Sequence, residues 1–399
     1  MKKCIVIGVT GGIAAFKACQ LVSNLKKKEY EVHVIMTKNA TEFVAPLTFE
    51  SLSGNRVSVD TFDRNFEYNV QHISLAKKAD VFVIAPATAN VIAKIVHGLA
   101  DDMLTTTFLA ASCKKIICPA MNTGMLNNPV TVENIDKCNQ LGYMIVEATS
   151  GLLACGDEGK GKLADVQTIE DAIEYACSPK PLLGKKVLVT AGPTQEAIDP
   201  VRFITNHSSG KMGYAIAKAA RNLGADVTLI SGQTNLEPCP MINTIQIKSA
   251  KEMFEEVKKY ASNQDCIIKT AAVADYTVKE PALNKIKKQG ETLTLELSKT
   301  DDILAYLGKN KQANQILCGF AMETENLIEN ASNKCINKNC DLLIANSINE
   351  KDSGFQTDTN KVVIIRPQSI THLELMSKEE LAYRVLEECF KGEDYVTHN

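Results

Sequence analysis

Among the thirteen cysteines of this 399-residue chain, Cys155 sits in the setting best suited to chemistry. It lies in ACGDEGKGKLAD (154–165), where closely spaced glycines break regular structure and suggest a flap. A thiol under a flap that has closed and expelled water is placed to act as a proton donor. Upstream, PAMN (119–122) follows an expected strand, and the Asn122 amide is able to grip a carboxylate. His72 stands just ahead of another expected strand; taken alone, such a histidine is more often a surface or capping residue than a catalyst.

Two loops offer room for an anion and a flat ring. GVTGGIAAFK (8–17) lies between a first strand and a first helix. Glycines there let a phosphate approach the free amides and the positive end of the helix. The spacing is not GxGxxG. The next strand ends in Met36-Thr37-Lys38, and its counterpart in the second half ends at Ser231. Neither supplies the acidic residue that a dinucleotide's ribose needs, which argues against NAD. A hydroxyl at Thr37 would suit a phosphate or a ribityl chain. In APATAN (85–90), small residues at a strand's carboxyl end leave space for a ring, and Thr88 and Asn90 can cap the next helix or bond a ligand.

The second half carries a different set. AGPTQEAIDPVRFITNHSSGKMG (191–213) is long for a strand-to-helix loop. SSGKMG is not a Walker A loop: the glycine required before it is missing, and Met212 stands where Ser or Thr would hold magnesium. AAVADYTVKE (271–280) brings Asp275 to a strand end, and GFAMET (319–324) follows another strand. KIKK (285–288) reads by default as a solvated basic face. Lys334 and Lys338 are one helical turn apart on one face. Cations gathered at the carboxyl edge of a sheet suit a nucleoside triphosphate.

The elements that must hold these residues alternate. KCIVIGV (3–9) is a short apolar strand; Ala14, Ala15, Ala18, Leu21, Val22 and Leu25 then recur at helical spacing, and EVHVIMT (31–37) is a second strand. Further strands are expected at 80–85, 115–118 and 143–146. ACSPKPLLGK (176–185) reads as a linker, after which the pattern restarts with a strand at 186–192, a helix at 211–223 and a strand at 226–232. Later strands are expected at 266–271, 315–319, 341–346 and 361–366. This predicts an α/β chain of two doubly wound, Rossmann-like domains with mainly parallel sheets, spanning 1–178 and 183–399.

Composition narrows the function classes. A net charge of −3 offers no global basic field for nucleic acid or anionic membrane. No apolar run is long enough to span a bilayer, and MKKCIVIGV is too quickly interrupted to be a signal peptide. The cysteines form no CxxC pair and the six histidines are scattered, so a structural zinc site is disfavoured. The twelve other thiols read as reduced, small hydrophobes of a cytoplasmic protein.

In this order and at these spacings, GVTGGIAAFK, HIxLAKKAD, APATAN, PAMN and ACGDEGKGKLAD resemble the phosphopantothenoylcysteine decarboxylase family of homo-oligomeric FMN-containing cysteine decarboxylases, over residues 1 to about 178. The resemblance implies a flavodoxin-like domain near a subunit boundary of which FMN is bound by Gly8, Thr10, Gly11, Gly12, Thr37, Thr88 and Asn90. It implies His72 as catalytic base, Asn122 as anchor of the substrate carboxylate with Met121 beside it, and Cys155 as the acid that finishes the reaction. An acylated cysteine cannot form a pyridoxal imine, so a flavin is the electron sink: oxidising the CH2–SH to a thioaldehyde lets CO2 leave and an enethiolate remain, which reduced flavin and a proton donor then convert to the aminoethanethiol. Lys162-Leu163 stands where Arg-Met is commoner, and Asp101 where Asn is expected.

DPVRFITNHSSGKMG, AAVADY, KIKK, GFAMET and ANSI (345–348) resemble the phosphopantothenate–cysteine ligases. That resemblance implies Asn206 against an acyl-cytidylate and Lys285 stabilising the departing pyrophosphate. It also implies a CTP site shaped by Ala271, Asp275, Asp301, Asp302, Ile303, Leu304, Phe320, Lys334 and Lys338, with Mg2+ held mainly by phosphates. The family's Asn-Pro-Asp-Ile is here Thr300-Asp301-Asp302-Ile303. The order decarboxylase–linker–ligase resembles the bacterial bifunctional enzymes of coenzyme A synthesis. It implies that the second half joins cysteine to 4′-phosphopantothenate and the first half decarboxylates the product. It further implies a dodecamer of decarboxylase trimers and ligase dimers, with small-molecule substrates as the other partners. The rivals are a prenyltransferase-like flavoprotein and a regulatory flavoprotein. The paired PAMN and ACGD motifs argue against the first, and the intact His72, Asn122 and Cys155 against the second.

Overall fold

Every residue of Cys4–Val9 is buried, and this short β-branched run becomes an interior strand of a sheet covered on both faces. The computed structural model describes residues 2–62, 71–152, 156, 158–288, 291–323, 325–347 and 357–391; Cys155 lies outside the described residues. The chain divides into two units, Met1–Ser178 and Pro179–Asn399.

The first unit runs β1 (Cys4–Val9), α1 (Ala15–Lys27), β2 (Glu31–Met36), α2 (Pro46–Ser53), α3 (Gln71–Lys78), β3 (Val81–Ala87), α4 (Ala89–Val96), α5 (Met103–Ala110), β4 (Lys114–Pro119), α6 (Thr123–Leu126), α7 (Pro129–Gln140), β5 (Met144–Ile145), β6 (Thr149–Leu152), β7 (Glu158–Lys162) and α8 (Val166–Cys177). Its five-stranded parallel sheet has the order β2-β1-β3-β4-β5. The winding direction reverses between β1 and β3, which opens a crevice at their carboxyl ends. Alternation along β1 divides the core: Ile5, Ile7 and Val9 meet residues of α1 and α8, while Val6 faces the cluster of α4, α5 and α7. Gly8 shares that second face, where a Cβ would lie 2.8 Å from Leu104 Cδ1. Among the described residues of this unit one carboxylate is buried: Glu170 on α8 accepts from Asn24 Nδ2 at 2.6 Å and pairs with Lys28 Nζ at 2.9 Å, tying α8 to α1.

The second unit runs β8 (Lys186–Ala191), β9 (Gln195–Ala197), β10 (Phe203–Thr205), α9 (Lys211–Asn222), β11 (Asp226–Ser231), β12 (Asn243–Gln246), α10 (Ala250–Ala261), β13 (Cys266–Lys269), β14 (Tyr276–Val278), β15 (Leu297–Lys299), α11 (Ile303–Asn310), β16 (Ile316–Glu323), α12 (Leu327–Asn337), β17 (Leu342–Ser347), β18 (Thr359–Asn360), β19 (Val363–Arg366), β20 (Ser369–His372), β21 (Met376–Ser377) and α13 (Lys378–Cys389). Its eight-stranded sheet has the order β12-β11-β8-β13-β16-β17-β19-β20. Pairing is parallel as far as β17 and antiparallel at β19 and β20. Both units are thus doubly wound α/β layers, and the expected strand at 361–366 is the start of an antiparallel edge. Two edge strands escaped the sequence reading: β12 (NTIQ) and the fully exposed β20 (SITH) lack an apolar run. The stretch read as a linker is largely structured. Helix α8 continues to Cys177, and Leu182 is buried in the second core with its N–H on Leu223 O at 2.9 Å. No described helix is long and apolar enough to cross a membrane.

Candidate functional site

In the first unit a cleft of about 440 Å³ opens at the β1/β3 reversal, lined by the Gly11-Gly12 loop, Pro86 and Thr88 at the end of β3, Met121 and Asn122 after β4, and Lys162 of β7. Three of these segments lie at the carboxyl ends of β1, β3 and β4, and the hairpin of β6 and β7 brings the fourth. Thr10 welds two of them: its buried hydroxyl donates to Pro86 O at 2.7 Å and accepts from Thr88 N at 3.1 Å. Thr88 in turn caps α4, accepting from Val91 N at 3.4 Å. Asn90, on the first turn of α4, is exposed.

These residues fit a flavin phosphate and its ribityl chain. Thr37 Oγ1, at the end of β2, is buried without a hydrogen-bond partner in the protein, a state that costs free energy unless a ligand relieves it. Helix α1 starts without a side-chain cap, leaving its amino end to be capped by an anion. At Gly11 a Cβ would lie 2.5 Å from Asn39 Cβ, so only glycine lets the loop approach the end of β2. Gly12, by contrast, faces open space, with Thr88 Cγ2 at 3.9 Å as its nearest neighbour. Gly8 and Thr10 hold the cradle from beneath, and Gly12 and Thr88 line its opening; Thr37 is not among the lining residues.

β6 and β7, which flank ACGD in the sequence, pair as an antiparallel hairpin. The hairpin is stapled to the PAMN loop: Met121 N donates to Gly161 O at 3.0 Å, and a Cβ at Gly161 would meet Met121 O at 2.2 Å. Asn122 caps α6, its Oδ1 accepting from Gly124 N at 2.8 Å. The structure therefore joins the Asn122 loop to β7, the strand that follows Cys155 in the sequence. His72 is in α3, half-buried, and is not among the residues lining the cleft. Asp101 is exposed and pairs with Lys94 at 2.7 Å, beside Asp102, which caps α5. Sequence reasoning missed Lys17 and Phe16 in the lining. Lys17 Nζ reaches Leu163 O at 3.4 Å; its place one turn into α1 was the available signal.

The second unit presents a cleft of about 310 Å³ lined by Asp275, Thr300-Asp301-Asp302, Ile303 and Leu304, Phe320 and Lys334. Thr300 binds the two turns together, its N–H on Asp275 O at 3.0 Å and its hydroxyl on Ala274 O at 2.6 Å. Asp302 caps α11 through Ala305 N at 2.8 Å and pairs with Lys338 at 2.7 Å. Lys338 thus neutralises Asp302, while Lys334 borders the opening. Lys269, overlooked in the sequence, also lines this cleft; its signal was a lysine closing the apolar strand CIIK. Burial pushes the Lys269 ammonium down to about 8, helped by repulsion from Lys334 and opposed by Asp302 and Asp275.

A smaller cavity adjoins it, where Ala271 and Phe320 meet the Ser208–Gly213 turn at the start of α9. Asn206 lies in a neighbouring groove with Thr205 and Lys211, its Nδ2 donating to Ala272 O at 3.0 Å. Lys285 is exposed and is not among the residues lining these clefts. Among the described residues, three potential metal ligands converge only at Cys4, Glu31 and His33, at the opposite end of the sheet from the first cleft, where Glu31 is already bound by Lys78.

Comparison with known proteins agrees with this division. The family model described as Flavoprotein matches residues 1–177, and that described as DNA/pantothenate metabolism flavoprotein C-terminal domain matches residues 182–392. The chain is 46% identical over 389 residues to the Coenzyme A biosynthesis bifunctional protein CoaBC of Bacillus subtilis (strain 168), covering 96% of each. It is 40% identical to the protein of the same name from Escherichia coli (strain K12), covering 97% of this chain and 96% of that one. Among solved structures, the C-terminal domain of a Coenzyme A biosynthesis bifunctional protein CoaBC shares 44% identity over 52% of this chain and 95% of its own, with a TM-score of 0.45.

Proposed function

The chain belongs to the family of coenzyme A biosynthesis bifunctional proteins and is a decarboxylase joined to a ligase; on that premise we propose how its two units divide the chemistry. The second unit activates 4′-phosphopantothenate with CTP and passes the acyl group to cysteine. The first unit, with FMN in the β1/β3 cleft, decarboxylates the resulting 4′-phosphopantothenoylcysteine.

The observation that carries this reading is the staple between Met121 and Gly161, because it ties a carboxylate-gripping amide to the base of a glycine-rich hairpin over an apolar cleft. FMN supplies the electron sink that a carbanion on this substrate otherwise lacks. The residues of the chain do the rest. Asn122 holds the substrate carboxylate, His72 takes a proton, and Cys155 returns one at the end, under a hairpin that keeps water out. His72 lies outside the cleft lining of its own chain, and Ile13, Phe16 and Met125 on the cleft are 58%, 59% and 49% exposed. Both facts favour a homo-oligomer in which a second copy completes the site.

In the second unit a carboxylate resists an amine until it becomes a mixed anhydride with a good leaving group. Lys269 and Lys334 meet the phosphates, Phe320 offers a ring face to the base, and Lys285 stabilises the departing pyrophosphate. Magnesium is carried by the phosphates. Asn206 contacts the acyl-cytidylate. The enzyme works on small metabolites in the cytoplasm.

Incubation with 4′-phosphopantothenate, magnesium and either CTP or ATP, with or without cysteine, tests the assignment when pyrophosphate and CO2 are followed separately. Pyrophosphate should need the nucleotide, and CO2 should need cysteine as well. A colourless protein that cannot be reconstituted with FMN, or CO2 release independent of cysteine, would refute the scheme.

A further inference from the structure

The short turn between β9 and β10, residues 198–202, contains a carboxylate that no role assigned above requires. The Asp199 side chain has no exposed surface, yet it touches none of the clefts. It accepts from Val201 N and Arg202 N at 2.9 Å each, which caps its own turn. It also binds the Arg202 guanidinium, with Nε at 3.0 Å, and accepts from Ile286 N at 3.1 Å, 87 residues away. Arg202 Nη2 completes the grip by donating to Ile286 O at 3.0 Å. Ala282 N adds a tie to Ile198 O at 3.0 Å. Both backbone groups of Ile286 are therefore fixed, and Ile286 directly follows Lys285. Lys285 itself is exposed, so these backbone ties are what locate its stem.

We infer that Asp199 is a positioning residue for acyl-cytidylate formation, acting through Arg202 and the Ile286 backbone to hold Lys285 where pyrophosphate leaves. This rests on the role given to Lys285 above. The local bonds to Val201 and Arg202 amides are what a turn alone would need. The bonds to the guanidinium and to Ile286 are additional and point at one short segment, the one that carries the lysine. The guanidinium holds the carboxyl well below the usual carboxylate range, against the opposing effect of burial, so the grip stays ionised at every working pH. A cation displaced by about 1 Å from a departing phosphate can lose on the order of a hundredfold in rate.

Asp199→Asn separates the two functions of the side chain. Its remaining oxygen can still accept the two local amides, while its NH2 group faces the guanidinium and the Ile286 N–H with no acceptor to offer. Single-turnover pyrophosphate release with CTP and 4′-phosphopantothenate should slow by about ten- to a hundredfold. CO2 release from supplied 4′-phosphopantothenoylcysteine should stay at the parental rate, which reports that the chain is folded. Because Asp199 acts only through Lys285, D199N/K285Q should be no slower than K285Q alone. Parental pyrophosphate release by D199N, with K285Q slow, refutes the inference and leaves the role of Lys285 standing. Losses that multiply in the double variant refute it as well. A fast K285Q removes the role of Lys285 and the inference together.

Discussion

Gly161→Ala puts the hairpin staple to a quantitative test. Gly161 has φ of 151°, a region that side chains other than glycine rarely enter, and its added methyl would sit 2.2 Å from Met121 O. No flexible side chain can yield there, since the obstacle is backbone. Either the hairpin lifts from the PAMN loop or the residue keeps a strained backbone. Strain of this kind costs about 1–3 kcal/mol, and losing the Met121–Gly161 hydrogen bond costs about 1 kcal/mol. The docked hairpin should therefore lose roughly 1–3 kcal/mol, a shift of about fivefold to a little over a hundredfold in the docking equilibrium. CO2 release from supplied substrate should fall accordingly, and the Met121 amide should exchange with solvent faster by a similar factor. Pyrophosphate release by the other unit should be untouched. A variant that keeps the parental CO2 rate and Met121 protection would show that this contact does not govern the site.

Two further predictions concern a hydroxyl and an ammonium. Thr37→Val removes a buried group with no partner in the protein, so the flavin-free protein should keep or raise its melting temperature while FMN binds about tenfold more weakly in a fluorescence titration; unchanged affinity would take Thr37 out of the cofactor site. Lys269 titrates near 8 when folded, below its unfolded value, so between about 8 and 10.4 the unfolded chain binds more protons and this group's contribution to stability improves as pH rises. Phosphate binding wants the charged form instead. The KM for CTP should therefore rise as pH climbs through about 8, and Lys269→Met should raise KM at pH 7 and flatten that dependence; a Met variant with the parental pH profile would exclude Lys269 from the anion site.

The fold was legible where burial and periodicity coincide. Ile5, Ile7 and Val9 and the Val187–Val189 pair lie on the two central strands, and their runs are apolar because both faces are covered. β12 and β20 were not legible, since an edge strand is held by backbone pairing rather than by side-chain pattern. The site motifs announced which loops matter but not what each residue does there. Thr10 reads as a ligand-binding hydroxyl and proves to be a loop-to-loop tie. Asp302 reads as a nucleotide contact and is found capping α11 while engaged with Lys338. Lys269 carried no motif, and Asp199 opens DPVR without announcing its partner; what each faces, Asp302 and Lys334 for the lysine and Ile286 for the carboxylate, lies on segments that only the folded chain brings near.

The Thr10 bridge bears on how the first cleft would take up its cofactor. Its hydroxyl fixes the glycine loop against the loop after β3 within the protein itself, through Pro86 O and Thr88 N. A cradle already closed in this way needs no disorder-to-order transition when a ligand arrives. Calorimetry of flavin uptake should then register the burial of the ring and little else, a modest negative heat-capacity change rather than the large one of coupled folding and binding.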